Sequence, residues 1–190
     1  MAIRRGPLAA PEDATKVFAI DEGDSSGAPE YTSGFPVDMA IKRYSADTDN
    51  WRISARLIQG INHYTNTTAA DDADDKFKFD YQNGYYNDSQ GANNFAYMWK
   101  RAPSYFDCIC YSGTGSARTV PHGLTVPPAM IWIKRRDSTR DWGTGFGSLG
   151  WTKRGPALNS TEQAYTVSTW WNDTAPTSSV FTVGSSATTN

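Results

Sequence analysis

The chain repeats one pattern twice, about ninety residues apart. Gly23 matches Gly113, Gly34 matches Gly123 and Lys42-Arg43 matches Lys134-Arg135. Further along, Trp51 matches Trp142 and Asn66-Thr67-Thr68 matches Asn159-Ser160-Thr161. Chance similarity in a Ser/Thr/Gly-rich chain would not keep separated anchors like these in order, so the repeat reads as a duplication. It divides the sequence into an extended N-terminal arm (1–15), a first copy (16–104) and a second copy (105–190). Units this small are marginally stable alone, so the copies are expected to pack together or against neighbours.

Seven Trp, ten Tyr and eight Phe in a chain poor in Leu and rich in turn residues favour strands over helices. No window holds a helical period. In the first copy, strands are expected near 16–20, 38–43, 51–57, 61–65, 76–81, 84–87 and 94–100. Trp51, Ile53, Ala55 and Leu57 alternate with Arg52, Ser54 and Arg56, which predicts one core face and one wet face. Phe95, Tyr97 and Trp99 likewise oppose Ala96 and Met98. Asn83-Gly84 between aromatic arms predicts a hairpin over Phe77 to Tyr86.

The second copy predicts strands at Tyr105–Tyr111, Ala129–Arg135, Trp142–Phe146, Ala164–Trp171 and Ser179–Val183. Pro127-Pro128 fixes an extended approach to the second of these. The counterpart of 94–100 would begin near Thr188-Thr189-Asn190, so the second copy lacks its last strand. The fold class is all-β: two tandem antiparallel β-sandwich-like repeats preceded by an extended arm.

A formal charge of −2 argues against nucleic acid or a membrane surface as partner. No run reaches the length of a membrane span, and the N-terminal stretch lacks the apolar core of a secretory signal, so membrane insertion is not expected. Cys108 and Cys110 lie two apart on one strand face with Phe106, poorly placed to bridge, and read as small apolar residues of a protein assembled in a reducing cytoplasm.

The two histidines, His63 and His122, sit in no nucleophile motif, and no phosphate loop or zinc spacing occurs, so neither an enzyme nor a cofactor is expected. Asp71, Asp72, Asp74 and Asp75 form a weak calcium candidate without the glycine and glutamate of a regular calcium loop; the alternative is a solvated loop. Tyr81, Tyr85 and Tyr86, with Trp170 and Trp171 in the second copy, are the candidate binding or interface aromatics. Adjacent residues of a strand face opposite ways, so one of each neighbouring pair is expected at the surface, where flat rings stack on sugars or anchor protein interfaces. Ordinary core filling is the competing explanation.

The stretches YSGTGSARTVPHGLTVPPAMIWIKRRD, WWNDTAPTSSVFTVG, SGFPVDMAIKR and YMWKRAPSYFD resemble a tandem β-rich domain of tailed bacteriophages, found in tail-fibre and other virion structural proteins of marine and cyanobacterial phages. The resemblance spans Tyr31 to Val183. It implies a virion protein made in the host cytoplasm and exposed on the particle. Its expected partners are copies of itself and other virion proteins, with a host-surface polysaccharide as the alternative partner. It carries over no catalytic residue.

One more match concerns the arm. Lys100-Arg101-Ala102-Pro103 at the end of the first copy aligns with Arg4-Arg5-Gly6-Pro7, so Met1, Ala2, Ile3, Arg4 and Arg5 imitate a last strand. An arm of this kind is expected to complete the second copy of a neighbouring subunit, because main-chain hydrogen bonds give an open sheet edge affinity for a strand.

Overall fold

The computed structural model describes residues 10–24, 27–88 and 92–190. Its first half contains β1 (Phe18–Glu22), β2 (Tyr31–Thr32), β3 (Met39–Tyr44), β4 (Arg52–Ala55), β5 (Ile61–Tyr64), β6 (Asp72–Ala73), β7 (Phe77–Lys78), β8 (Gly84–Asn87) and β9 (Asn94–Trp99). They form a six-stranded sheet, ordered β1-β9-β3-β4-β5-β6, and a three-stranded sheet, β2-β8-β7. All the pairings are antiparallel. Burial alternates along β9 as the sequence pattern predicts. Ala96 and Met98 point inward to a core with Tyr31, Val37, Phe77, Phe79 and Tyr85. Tyr31 stacks on Tyr85 with ring centroids 4.8 Å apart. Burying each such ring stabilises the fold by about 1.5–3 kcal/mol relative to leaving it in water.

The second half contains β10 (Arg118–Pro121), β11 (Met130–Ile133), β12 (Gly143–Phe146), β13 (Lys153–Arg154), β14 (Tyr165–Thr166), the four-residue helix α1 (Ser168–Trp171) and β15 (Val180–Val183). Its ladders match those of the first half. Tyr31 faces Tyr85 across β2 and β8, and Val120 faces Phe181 across β10 and β15. Met39 faces Ala55 across β3 and β4, as Met130 faces Phe146 across β11 and β12. A loop device recurs as well. The Trp51 amide donates to Asn66 Oδ1 at 3.1 Å and the Trp142 amide to Asn159 Oδ1 at 2.9 Å. Each of those asparagines in turn donates to the residue before the tryptophan, Asn50 or Asp141.

Several sequence expectations change. The ladder that sets Met39 against Met130 sets Lys42 against Ile133, so the paired Lys-Arg dipeptides are out of register by one residue. Strand Ala164–Trp171 is cut short at Thr166 and continues as α1. The stretch Tyr105–Tyr111 forms no ladder, only an isolated bridge between Ala102 and Phe106. Asn83-Gly84 is not a tight turn. Phe77 pairs with Asn87, and Gly84 already belongs to β8 opposite Thr32, where a Cβ would run into the Tyr31 carbonyl. There the glycine serves close backbone approach rather than a positive φ.

The two halves pack back to back. Met39, Ile41, Ile53 and Ala55, on the outward face of the large sheet, form one cluster with Trp142, and Trp132, Phe106, Cys108 and Leu158 pack against it. The expected wet face of β4 is therefore the inner one, where Ser54 is buried, and its other face is covered by the second half. A clasp closes one side of this seam. Arg136 grips Asp71 through Nε and Nη2, the Asp71 amide donates to the Arg136 carbonyl at 2.8 Å, and Trp142 Nε1 donates to the Tyr64 carbonyl at 2.8 Å.

Candidate functional sites

Two places stand out, an open sheet edge in the second half and a polar recess in the first. In the first half β9 lies between β1 and β3, so that Ala96 faces Asp21 on one side and Lys42 on the other. The counterpart of β3 is β11, and the counterpart of β1 is the segment 108–112. This segment keeps the faces of β1. Ile109 and Tyr111 pack against the inner core, as Ala19 does in the first half, while Cys110 is exposed like Ile20.

Among the described residues no strand lies between 108–112 and β11. There β11 pairs with β12 alone, and the amides of 109–112 make no backbone hydrogen bond. At the mouth of this slot Asn190 Oδ1 accepts the Thr114 amide at 2.7 Å, and the Tyr111 hydroxyl donates to the Thr189 carbonyl. In the first half the Gly23 amide donates to the Asn94 carbonyl at 2.9 Å, at the point where β9 begins. In the second half the position that β9 holds in the first thus has no ladder on either flank among the described residues, and an unpaired flank of this kind can take up a strand.

The recess has a volume of about 240 Å³ and is lined by Lys42, Tyr44, Asp49, Asn50, Arg52 and Asn94. It continues the inner face of the large sheet beyond the aromatic core, because these strand residues share the facing of Ala40 and Ala96. Lys42 and Arg52 are direct cross-strand partners, an arrangement of like charges that weakens a ladder. Arg52 has an ion partner, Asp74, at 3.4 Å. Lys42 is only 6% exposed, yet among the described residues its Nζ makes no hydrogen bond or ion pair. Burial pulls its pKa from 10.5 down to about 8, with Arg52 adding to the effect and Glu30, Asp74 and Asp49 opposing it. Elsewhere in this half, Asn62 Oδ1 and Asn87 Nδ2 are buried without a partner among the described residues.

The residues singled out from sequence fall elsewhere. Tyr85 is fully buried in the first core and Tyr86, half-buried, carries Lys78 over its ring, so the opposite facing expected of that pair holds. It does not hold for Trp170 and Trp171. Both are buried, because α1 turns both rings into the second core, where Trp151 meets Trp171 edge-on at 5.4 Å. Gly145 leaves room for these rings; a Cβ there would lie 2.6 Å from Trp151 and 2.7 Å from Trp171. Tyr81 is half-buried.

The aspartates diverge rather than converge. Asp71 faces Arg136 and His63, Asp72 accepts from the Tyr64 hydroxyl at 2.6 Å, Asp74 faces Arg52, and Asp75 is exposed. Among the described residues no three His, Cys, Asp or Glu side chains gather as a metal ion would require. Nor is any helix among them long and apolar enough to cross a membrane. The strand-exchange residues Met1, Ala2, Ile3, Arg4 and Arg5 lie outside the described residues. Sequence reading missed Lys42 because it took the Lys-Arg dipeptide as a repeat anchor; a lysine inside an alternating MAIKRY strand was the available signal.

These features define an all-β protein whose halves are sandwich-like and share ladder registers. The chain belongs to the DUF7483 family, a domain of unknown function, whose model matches residues 22–190. No curated protein and no solved structure matches it.

Proposed function

We propose that this is a non-enzymatic structural protein of a bacteriophage virion, a tail-fibre or other surface or capsid-decorating subunit that assembles by strand addition. The virion assignment rests on the motif resemblance described above. What supports assembly is the open strand position beside β11, flanked by 108–112 and bordered by Met130, an apolar side chain 49% exposed. A sheet edge of this kind recruits a strand through main-chain hydrogen bonds, while pockets for alternate side chains set specificity.

The strand assigned to it is Met1–Arg5 of a second copy, on the alignment of Arg4-Arg5-Gly6-Pro7 with Lys100-Arg101-Ala102-Pro103, which follow β9. Placed like β9, Ala2 takes the inward position of Met98 and Ile3 the outward position of Trp99. Head-to-tail repetition of one such exchange gives rings or filaments. Light scattering and electron microscopy of the chain with and without residues 1–8 test this. Rings or filaments that disappear on truncation are the expected result, with a free peptide of residues 1–11 binding the truncated monomer without restoring them. A monomer in both preparations refutes assembly by this edge. A second reading, recognition of a host-surface glycan, draws its support from the recess around Lys42 rather than from the aromatic residues.

A further inference from the structure

We infer that the recess over Lys42 binds a small hydroxylated carboxylate, of the size of one uronic acid ring. The inference extends the glycan-recognition reading and is independent of strand assembly.

The first argument is the placement of charge. Two cations face each other directly across the β3–β4 ladder, and the more buried one has no partner among the described residues. A carboxylate between them would satisfy Lys42 and offset the repulsion, a charge-assisted contact of the stronger kind. The second half provides the control. At the same ladder positions it carries Ile133 opposite Gly143, with Ile133 in the apolar core. The architecture therefore accepts an aliphatic residue where the first half holds a lysine, and packing alone does not call for the lysine.

The remaining lining suits hydroxyl groups. Asp49 is an acceptor, Asn50 and Asn94 carry both donors and acceptors, and the Tyr44 phenol can do either. Arg43 donates to the carbonyls of Tyr44 and Asp47, which fixes the start of the loop that carries Asp49 and Asn50. A recess of about 240 Å³ falls below the roughly 300 Å³ where pockets for drug-sized ligands begin, which favours a single ring. The lowered pKa of Lys42 agrees with a cation held without a partner.

Sodium glucuronate is the probe, with glucose, acetate and inorganic phosphate as comparison arms, followed by amide NMR shifts on the full chain. Saturating shifts at Lys42, Arg52 and Asn94, with a Kd on the order of 1 mM, are expected for glucuronate. Acetate and glucose, which each present half of the chemistry, should bind at least about tenfold more weakly. Bound glucuronate should also raise the Lys42 side-chain pKa, read from its Cε resonance, with Arg52, Glu30, Asp74 and Asp49 as the charged groups around it. Lys42→Ile and Lys42→Met should abolish the shifts while remaining folded. No saturation by glucuronate at about 50 mM, equal binding of glucose, tighter binding of phosphate than of glucuronate, or binding retained in a folded Lys42 variant each overturns the inference. Should both variants unfold, the wild-type chain still decides through the Lys42 pKa, which a contacting carboxylate must raise.

Discussion

Replacing Lys42 with isoleucine, the residue at the matching place in the second half, should stabilise the protein. The folded state holds Lys42 at a pKa of about 8 against an ordinary 10.5, and each pKa unit corresponds to about 1.4 kcal/mol. Keeping the side chain protonated inside the fold therefore costs about 3 kcal/mol at neutral pH. The folded pKa lies below the unfolded one. Between about pH 8 and 10.5 the unfolded chain binds more protons than the native one, so stability rises with pH through that window. Below it the full penalty applies.

Isoleucine removes the penalty at every pH, at the expense of an imperfect fit that we set at about 1 kcal/mol. Lys42→Ile should then exceed wild type by about 2 kcal/mol at pH 7 in urea unfolding, and the difference should vanish or reverse by about pH 10.5. Comparing variant with wild type at each pH cancels the other titrations. The buried Tyr31, whose phenol burial and Glu30 keep protonated in the fold while it ionises near 10 in the unfolded chain, lowers the stability of both proteins alike toward that pH and so cancels in the comparison. A variant less stable than wild type at pH 7 would refute the reasoning, because it would mean that the lysine is well paired inside the fold. A gain independent of pH would refute it differently, by assigning the effect to packing.

Two further outcomes follow from the packing. Gly84→Ala forces a methyl group against the Tyr31 carbonyl inside the β2–β8 ladder, so it should cost about 3 kcal/mol in chemical unfolding; a loss under about 0.5 kcal/mol would contradict that close approach. Burial pushes the Cys108 thiol up to about 12, while Cys110 is exposed, so alkylation of the native chain at pH 8 should add a single label, at Cys110, with the second appearing only on unfolding. Mass spectrometry of the labelled peptides reads this directly.

Seven of the nine strands of the first half were legible in the sequence and have ladder partners within the same copy, whereas the two-residue β2 and β6 are too short to show a period and were not expected. Residues 94–99 fall where their alternation puts them. The segment 105–111 has the same period as β1 and forms no ladder, since the pattern reports facing while a ladder also needs a neighbour. Trp170-Trp171 misled for a related reason. Two adjacent aromatics read as a strand with two faces, but one helical turn separates their side chains by about 100° and lets both reach the same core. The apolar face of Ile53 and Ala55 was legible in β4, but its cover was not, because the pattern marks an apolar face and only tertiary packing shows that the second half lies on it.

The back-to-back seam also limits how copies can meet. By facing each other, the central strands of both halves remove the broad apolar surfaces through which sandwiches could stack face to face, and the clasp of Asp71 and Arg136 fastens that arrangement. The edges left for lateral contact differ between the two halves: the first ends its large sheet on β1 and β6, whereas the second presents β11. A molecule with unlike ends has a direction. Any polymer grown from that edge would be polar, with a leading and a trailing tip, and its length would depend on how one tip is capped.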